Sequence, residues 1–249
     1  MKKLILLFLA FFVGLFSIFA SYPQTDVQKI YDSETYREFI YFMYNSPSEP
    51  NLGPEVKSIN DFIESSPFDN EAKIITKAQT LQLIGKFLIR NQTSLNGSNG
   101  KATTEEGLSD IKKIKNLDNN EEAQIAKANL LGNYMLLSNK YIFSKGKESS
   151  QAIDKAIKIN KKNPRSILID SERMMYAPNL FGGDKEKAKR QLKDLIGNYQ
   201  LLPKEAFEAV KDLGILAKDE GKYDFARTYF TYANEIFPDN QEIKELWPK

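Results

Sequence analysis

Gly182-Gly183-Asp184, placed where a helix begins, has the composition of a phosphate cradle. Two glycines would let backbone N–H groups approach an anion at a helix N-terminus. Asp184 argues against that use. As N-cap it would put its own carboxylate on the free N–H groups that a phosphate needs, so a structural turn is expected. Asp118-Asn119-Asn120-Glu121-Glu122 could attract a hard cation, but it lacks the alternating ligands and central glycine of a calcium loop. A helix cap is the expected role. The chain has no histidine, the side chain that most often moves protons near neutral pH. It has no cysteine, which excludes disulfides, thiolate metal sites, a thiol nucleophile and a lipid-modified N-terminal cysteine. No serine sits in a G-x-S-x-G elbow, and nothing nominates a pair of carboxylates for acid–base work. The expectation is a protein that is not an enzyme, with no cofactor and no metal site.

The elements that position the remaining polar residues are helical throughout. Phe207, Val210, Leu213, Gly214 and Ala217 fall on one helical face, and Gly221 follows as a helix-ending residue. Tyr223, Ala226, Phe230 and Ala233 form a second stripe that ends before Pro238. Small and large residues alternate across the pair. Gly214 in mid-helix costs about 1 kcal/mol relative to alanine, and close approach of the neighbouring helix accounts for it. The same spacing recurs at Leu81, Ile84–Gly85 and Leu88, and at Ala128, Leu131–Gly132 and Met135. A less regular version is Ile167, Ser171 and Met174. Second helices follow over about 104–115, 151–160 and the stripe Ala188, Leu192 and Leu195. No alternating stretch argues for strands.

The unit Phe207–Asn240 resembles a tetratricopeptide repeat, with Val210, Leu213–Gly214, Ala217, Ala226, Phe230 and Pro238 on the motif positions. It departs from the motif at Val210 and Ala217, where the family has Trp and Tyr. The turn Pro178 to Asp184 also resembles a variant found in bacterial members. The resemblance implies an all-α fold, a right-handed α-solenoid of about five helix-turn-helix pairs. The array is expected over 69–240, a divergent or capping helical pair over 21–68, and a capping segment over 241–249, where Trp247 covers the last face. The resemblance also implies that first helices line a concave surface. Binding candidates there are Gln79, Gln82, Lys86 and Arg90, then Asn129 and Asn133, then Glu172 and Tyr176, and last Lys211 and Lys218.

Asp26 is expected to cap one helix running to about Ser46, rich in Tyr36, Phe39, Tyr41, Phe42 and Tyr44. This face is a packed first repeat or, functionally, a docking patch or part of an apolar ligand pocket. The proline-rich stretch 46–54 reads as non-helical and precedes a helix over about 55–64. Asn91 to Lys101, rich in Asn, Gly and Ser, reads as a flexible loop, and Ser144 to Ser150 as a turn.

Residues 1–20 pair Lys2 and Lys3 with an apolar run ending at Ala20, the pattern of a secretory signal peptide; an uncleaved anchor is the competing reading. Without Lys2 and Lys3, basic and acidic residues balance at 33 each. No basic block points to nucleic acid or an anionic membrane surface. The expected location is the periplasm or cell envelope, with membrane contact only through an uncleaved signal segment. The leading functional expectation is a non-enzymatic scaffold or adaptor that binds a protein or peptide on the concave face. The alternative is a small-ligand-binding component of an envelope transport system that uses an apolar cavity in the stack.

Overall fold

The computed structural model describes residues 22–23, 25–45, 52–179 and 182–247. The leader 1–20, most of the proline-rich stretch and Leu180–Phe181 lie outside the described residues. The fold is all-α. In chain order the helices are α1 (Asp26–Asp32), α2 (Glu34–Asn45), α3 (Leu52–Ser65), α4 (Asn70–Arg90), α5 (Gly100–Ile111) and α6 (Glu121–Leu137). They continue as α7 (Tyr141–Ile159), α8 (Pro164–Tyr176), α9 (Lys185–Asn198), α10 (Pro203–Asp219), α11 (Tyr223–Ile236) and α12 (Gln241–Leu246). Among the described residues no helix is long and apolar enough to cross a membrane.

Consecutive helices pack as pairs: α4 on α5, α6 on α7, α8 on α9 and α10 on α11. The first helices also touch one another in sequence, α4 on α6, α6 on α8 and α8 on α10. At the last pair the fit depends on Gly214. A Cβ there would lie 2.5 Å from Phe230 Cε1, so glycine alone admits the ring. Phe230, Ala226 and Ala233 are fully buried, and Gly221 ends α10 with φ at +72°. Gly85 is similarly crowded, its Cβ position 2.8 Å from Thr104 Oγ1. Gly132 differs from the expected pattern: nothing lies within 4 Å of a Cβ there.

Several local expectations need correction. The first helix is two helices. Thr25, not Asp26, caps α1 by accepting from the Gln28 N–H, and Ser33 breaks the chain in extended backbone. The Ser33 hydroxyl donates to the Ile30 carbonyl and accepts from the Tyr36 N–H, which restarts the helix as α2. The third helix begins at Leu52, earlier than expected. The Asn91–Lys101 stretch is built as a tight hairpin. Ser94–Leu95 pairs with Ser98–Asn99 across Asn96-Gly97, both with positive φ, the turn that Asn-Gly favours. Asn99 then caps α5 through the Ala102 N–H. Ser144 to Ser150 is helical, inside α7, and the real break falls at Ser138–Lys140. Ser149 is buried there, its hydroxyl donating to the Ala128 carbonyl. Tyr223, expected in the buried stripe of α11, is 53% exposed.

Three caps stand as read. Asp69 accepts from the Ala72 N–H at 2.8 Å, and Asp184 accepts from the Lys187 N–H at 2.8 Å. Asn120, within the acidic cluster, accepts from the Ala123 N–H. Gly183 has no room for a side chain, a Cβ falling 1.9 Å from the Ala177 carbonyl oxygen.

The main core draws on both ends of the chain. Val27, Tyr36 and Phe39 share a cluster with Phe207, Phe230, Phe237 and Ile243. Tyr44 stacks on Phe237 at 4.7 Å and meets Phe207 edge-on at 5.3 Å. Tyr22 reaches further: its hydroxyl donates to Glu205 and accepts from the Leu202 N–H.

Candidate binding site

Helix α10 positions most of the chemistry. Its apolar face meets α11, while Glu205, Glu208, Lys211 and Asp212 lie one turn apart along another side. None is more than 4% exposed. Burying an unpaired charge costs several kcal/mol, so each of these groups requires partners. Lys211 contacts Glu208 and lies 3.4 Å from Glu242 and 4.0 Å from Asp212. Lys86 on α4 lies 3.3 Å from Glu208, and Tyr44 on α2 donates to the same carboxylate at 2.6 Å. Arg90 grips Glu242 with both terminal nitrogens, at 2.5 and 2.9 Å.

The cluster sets its own protonation. Burial acts to raise Glu208, but Lys211 and Lys86, with hydrogen bonds from Lys211 and Tyr44, hold it well below the usual carboxylate range. Burial also opposes charge on Lys211, yet Glu208, Glu242 and Asp212 keep its ammonium well above its ordinary value. At Glu242, Lys211 and Arg90 outweigh burial and bring the carboxyl down to about 2. Asp212 is the exception. Burial pushes it well above the usual range, helped by Glu172 and Glu208 and only partly offset by Lys211. Its Oδ2 has no hydrogen-bond partner.

The residues named from sequence fall into separate groups. Lys86, Arg90 and Lys211 meet in this cluster, and Glu172, half-buried on α8, is raised by burial and by the charge of Glu208. Gln82 and Asn133 bond to each other; Asn133 Nδ2 also donates to the Gln82 carbonyl at 2.9 Å and to Thr104 Oγ1 at 3.2 Å. Lys218 donates to the Leu246 carbonyl and ties down α12. Asn129 is half-buried one turn before Asn133, and Tyr176 is 63% exposed at the end of α8. Gln79 belongs elsewhere, on the wall of a cleft.

That cleft has a volume of about 580 Å³ and lies between α1–α2, the start of α10 and Phe237. Its wall is aromatic and aliphatic: Tyr31, Tyr36, Ile40, Tyr41, Phe42 and Phe237, faced by Leu202 and Pro203. Charges on its wall are balanced, Arg37 and Lys204 against Glu38 and Glu205. Two wall residues carry buried polar atoms without a hydrogen-bond partner, Gln79 Nε2 and Tyr31 Oη. Arg165 backs this region, its guanidinium 4.7 Å from the Tyr31 ring and 5.2 Å from the Tyr22 ring. It is paired with Glu122 at 2.5 Å.

Sequence reasoning did not name Glu205, Glu208, Asp212, Glu242 or Arg165. A signal existed for the first three: they form a charged stripe on a helix whose other side carries a regular apolar pattern. No family model matches the chain, and no curated protein sequence does.

Proposed function

We propose that the chain is an exported, non-enzymatic binding protein of the tetratricopeptide-like class, which holds a small apolar ligand in the cleft between its N-terminal helices and its last repeat. The observation that carries this reading is the cleft itself. A volume of about 580 Å³ is in the range that encloses a small organic ligand, and a mostly apolar wall with a few polar groups is the usual make-up of such sites. The repeat assignment is supported by the sequential contacts of the first helices and by the Gly214–Phe230 fit. The export assignment rests on the apolar leader with its two lysines. In this reading the chain serves as the ligand-holding component of an envelope transport system.

A second reading, a scaffold for a protein partner, rests on Tyr176, exposed at a first-helix terminus. Against it, Lys86, Arg90 and Lys211 are already paired with Glu208 and Glu242, so a partner would have to displace internal ion pairs. The two readings separate by native mass spectrometry of the chain purified from the envelope of cells that express it. A bound small molecule, released by organic solvent and lost in Leu202→Glu, is expected. A stoichiometric protein partner with no small molecule would favour the scaffold.

A further inference from the structure

Helix α11 carries an exposed stripe, none of whose residues lines the cleft. Phe225, Thr228, Tyr232 and Glu235 recur at steps of three, four and three, the spacing of one helical face, and all four are exposed. Phe225 is 63% exposed and Tyr232 44%. Half-buried Tyr229 and Ile236 flank them and pack inward on the core. The Thr228 hydroxyl is already satisfied, donating to the Asp224 carbonyl at 2.9 Å. The middle of the stripe therefore offers packing surface rather than unmet hydrogen bonds. Its ends carry opposite charge. Glu235 forms no ion pair among the described residues, while Asp224 and Arg227, the other charged residues of the helix, pair with each other at 3.1 Å. Lys222, just ahead of the helix, lies 2.7 Å from Glu220, whose two oxygens Lys189 also holds. Lys222 can turn away without leaving Glu220 unpaired.

We infer that this face is the contact between two copies of the chain, running antiparallel about a two-fold axis. Such a contact pairs each residue with its counterpart twice over, once in each direction. Setting Phe225 of one copy on Tyr232 of the other puts the axis between Thr228 and Tyr229. The same register carries Lys222 of each copy to Glu235 of the other. The stripe thus matches its own reverse in packing and in charge, which fits a second copy better than an unrelated partner. A single helix face covers less than the roughly 800 Å² per partner of a standard complex. The dimer is therefore weak, with a Kd on the order of 10–100 µM. The contact lies apart from the cleft, so its failure would leave the proposed binding function untouched.

The test is sedimentation velocity on the chain from about 5 to about 500 µM, a span that brackets this Kd. A reversible monomer–dimer equilibrium is expected, with Phe225→Asp monomeric throughout. Lys222→Glu and Glu235→Lys each set like charges opposite one another at both ends of the contact, and each should weaken association about tenfold at low salt. Both changes suit the helix macrodipole, so melting temperatures should match the wild type. Mixing the two variants makes the contact complementary again, and heterodimers should form as readily as the wild-type dimer. A chain that stays monomeric at the highest concentration, a larger assembly, or a dimer that survives Phe225→Asp overturns the inference. So does a mixture that associates no better than its separate components.

Discussion

Tyr44 donates its hydroxyl to Glu208 at 2.6 Å, across 164 residues of sequence. The bond places an N-terminal aromatic against a charged turn of α10, and the ring itself packs on Phe207 and Phe237. Tyr44→Phe keeps the packing and removes one donor from a buried carboxylate. Hydrogen bonds to charged groups are worth about 1.5–3 kcal/mol, so a loss of that size is expected in urea unfolding. A variant as stable as the wild type would mean that Lys86 and Lys211 alone satisfy Glu208.

The ionic cluster predicts opposite pH effects at neighbouring carboxyls. Glu208 and Glu242 titrate below their unfolded values, because Lys211, Lys86 and Arg90 outweigh burial. Their stabilisation is present above the unfolded carboxyl range and is lost as pH falls through their folded values, toward about 2 for Glu242. Asp212 titrates above its unfolded value, chiefly through burial. Its folded form favours the proton, so stability falls as pH rises through that folded value. Asp212→Asn should therefore raise the Tm by a few degrees at pH 8, with the gap closing near pH 4. Calorimetry across that range checks it; a variant less stable at pH 8 would show that Lys211 needs the Asp212 charge.

Two mid-helix glycines that look alike in sequence should behave differently. Gly214→Leu drives a side chain into Phe230 and should cost about 1–3 kcal/mol or more. Gly132 has no neighbour within 4 Å of a Cβ, so Gly132→Ala should stabilise, by up to about 1 kcal/mol, through helix propensity alone. Equal effects in thermal melts would contradict this distinction.

The helical pairs were legible because their signals are local: apolar spacing, caps at Asp69 and Asp184, and Gly221 at a helix end. The hairpin at Asn96-Gly97 carried its own turn signature, but the surrounding Asn, Gly and Ser masked it as a loop. Ser144 to Ser150 misled in the same way. Weak helix formers read as a turn, and the contact of Ser149 with Ala128 overrides propensity. The site was legible only in part, for a different reason. Lys86, Arg90 and Lys211 can be placed on first helices from spacing, but Glu242 lies 152 residues from Arg90, and no periodicity reports such a pairing. The N-terminal helices read as a packed face or as part of an apolar pocket. Which neighbours they pack against depends on where the chain returns, and the cleft exists only because α2 meets the start of α10.

The measurement closest to the central proposal is a titration of 1-N-phenylnaphthylamine into the chain and its Leu202→Glu variant. Saturable binding at one site, abolished when the carboxylate enters the cleft wall while the helical circular dichroism stays unchanged, is the result expected. Binding that never saturates, or that survives Leu202→Glu undiminished, would place the ligand elsewhere or remove it from the account.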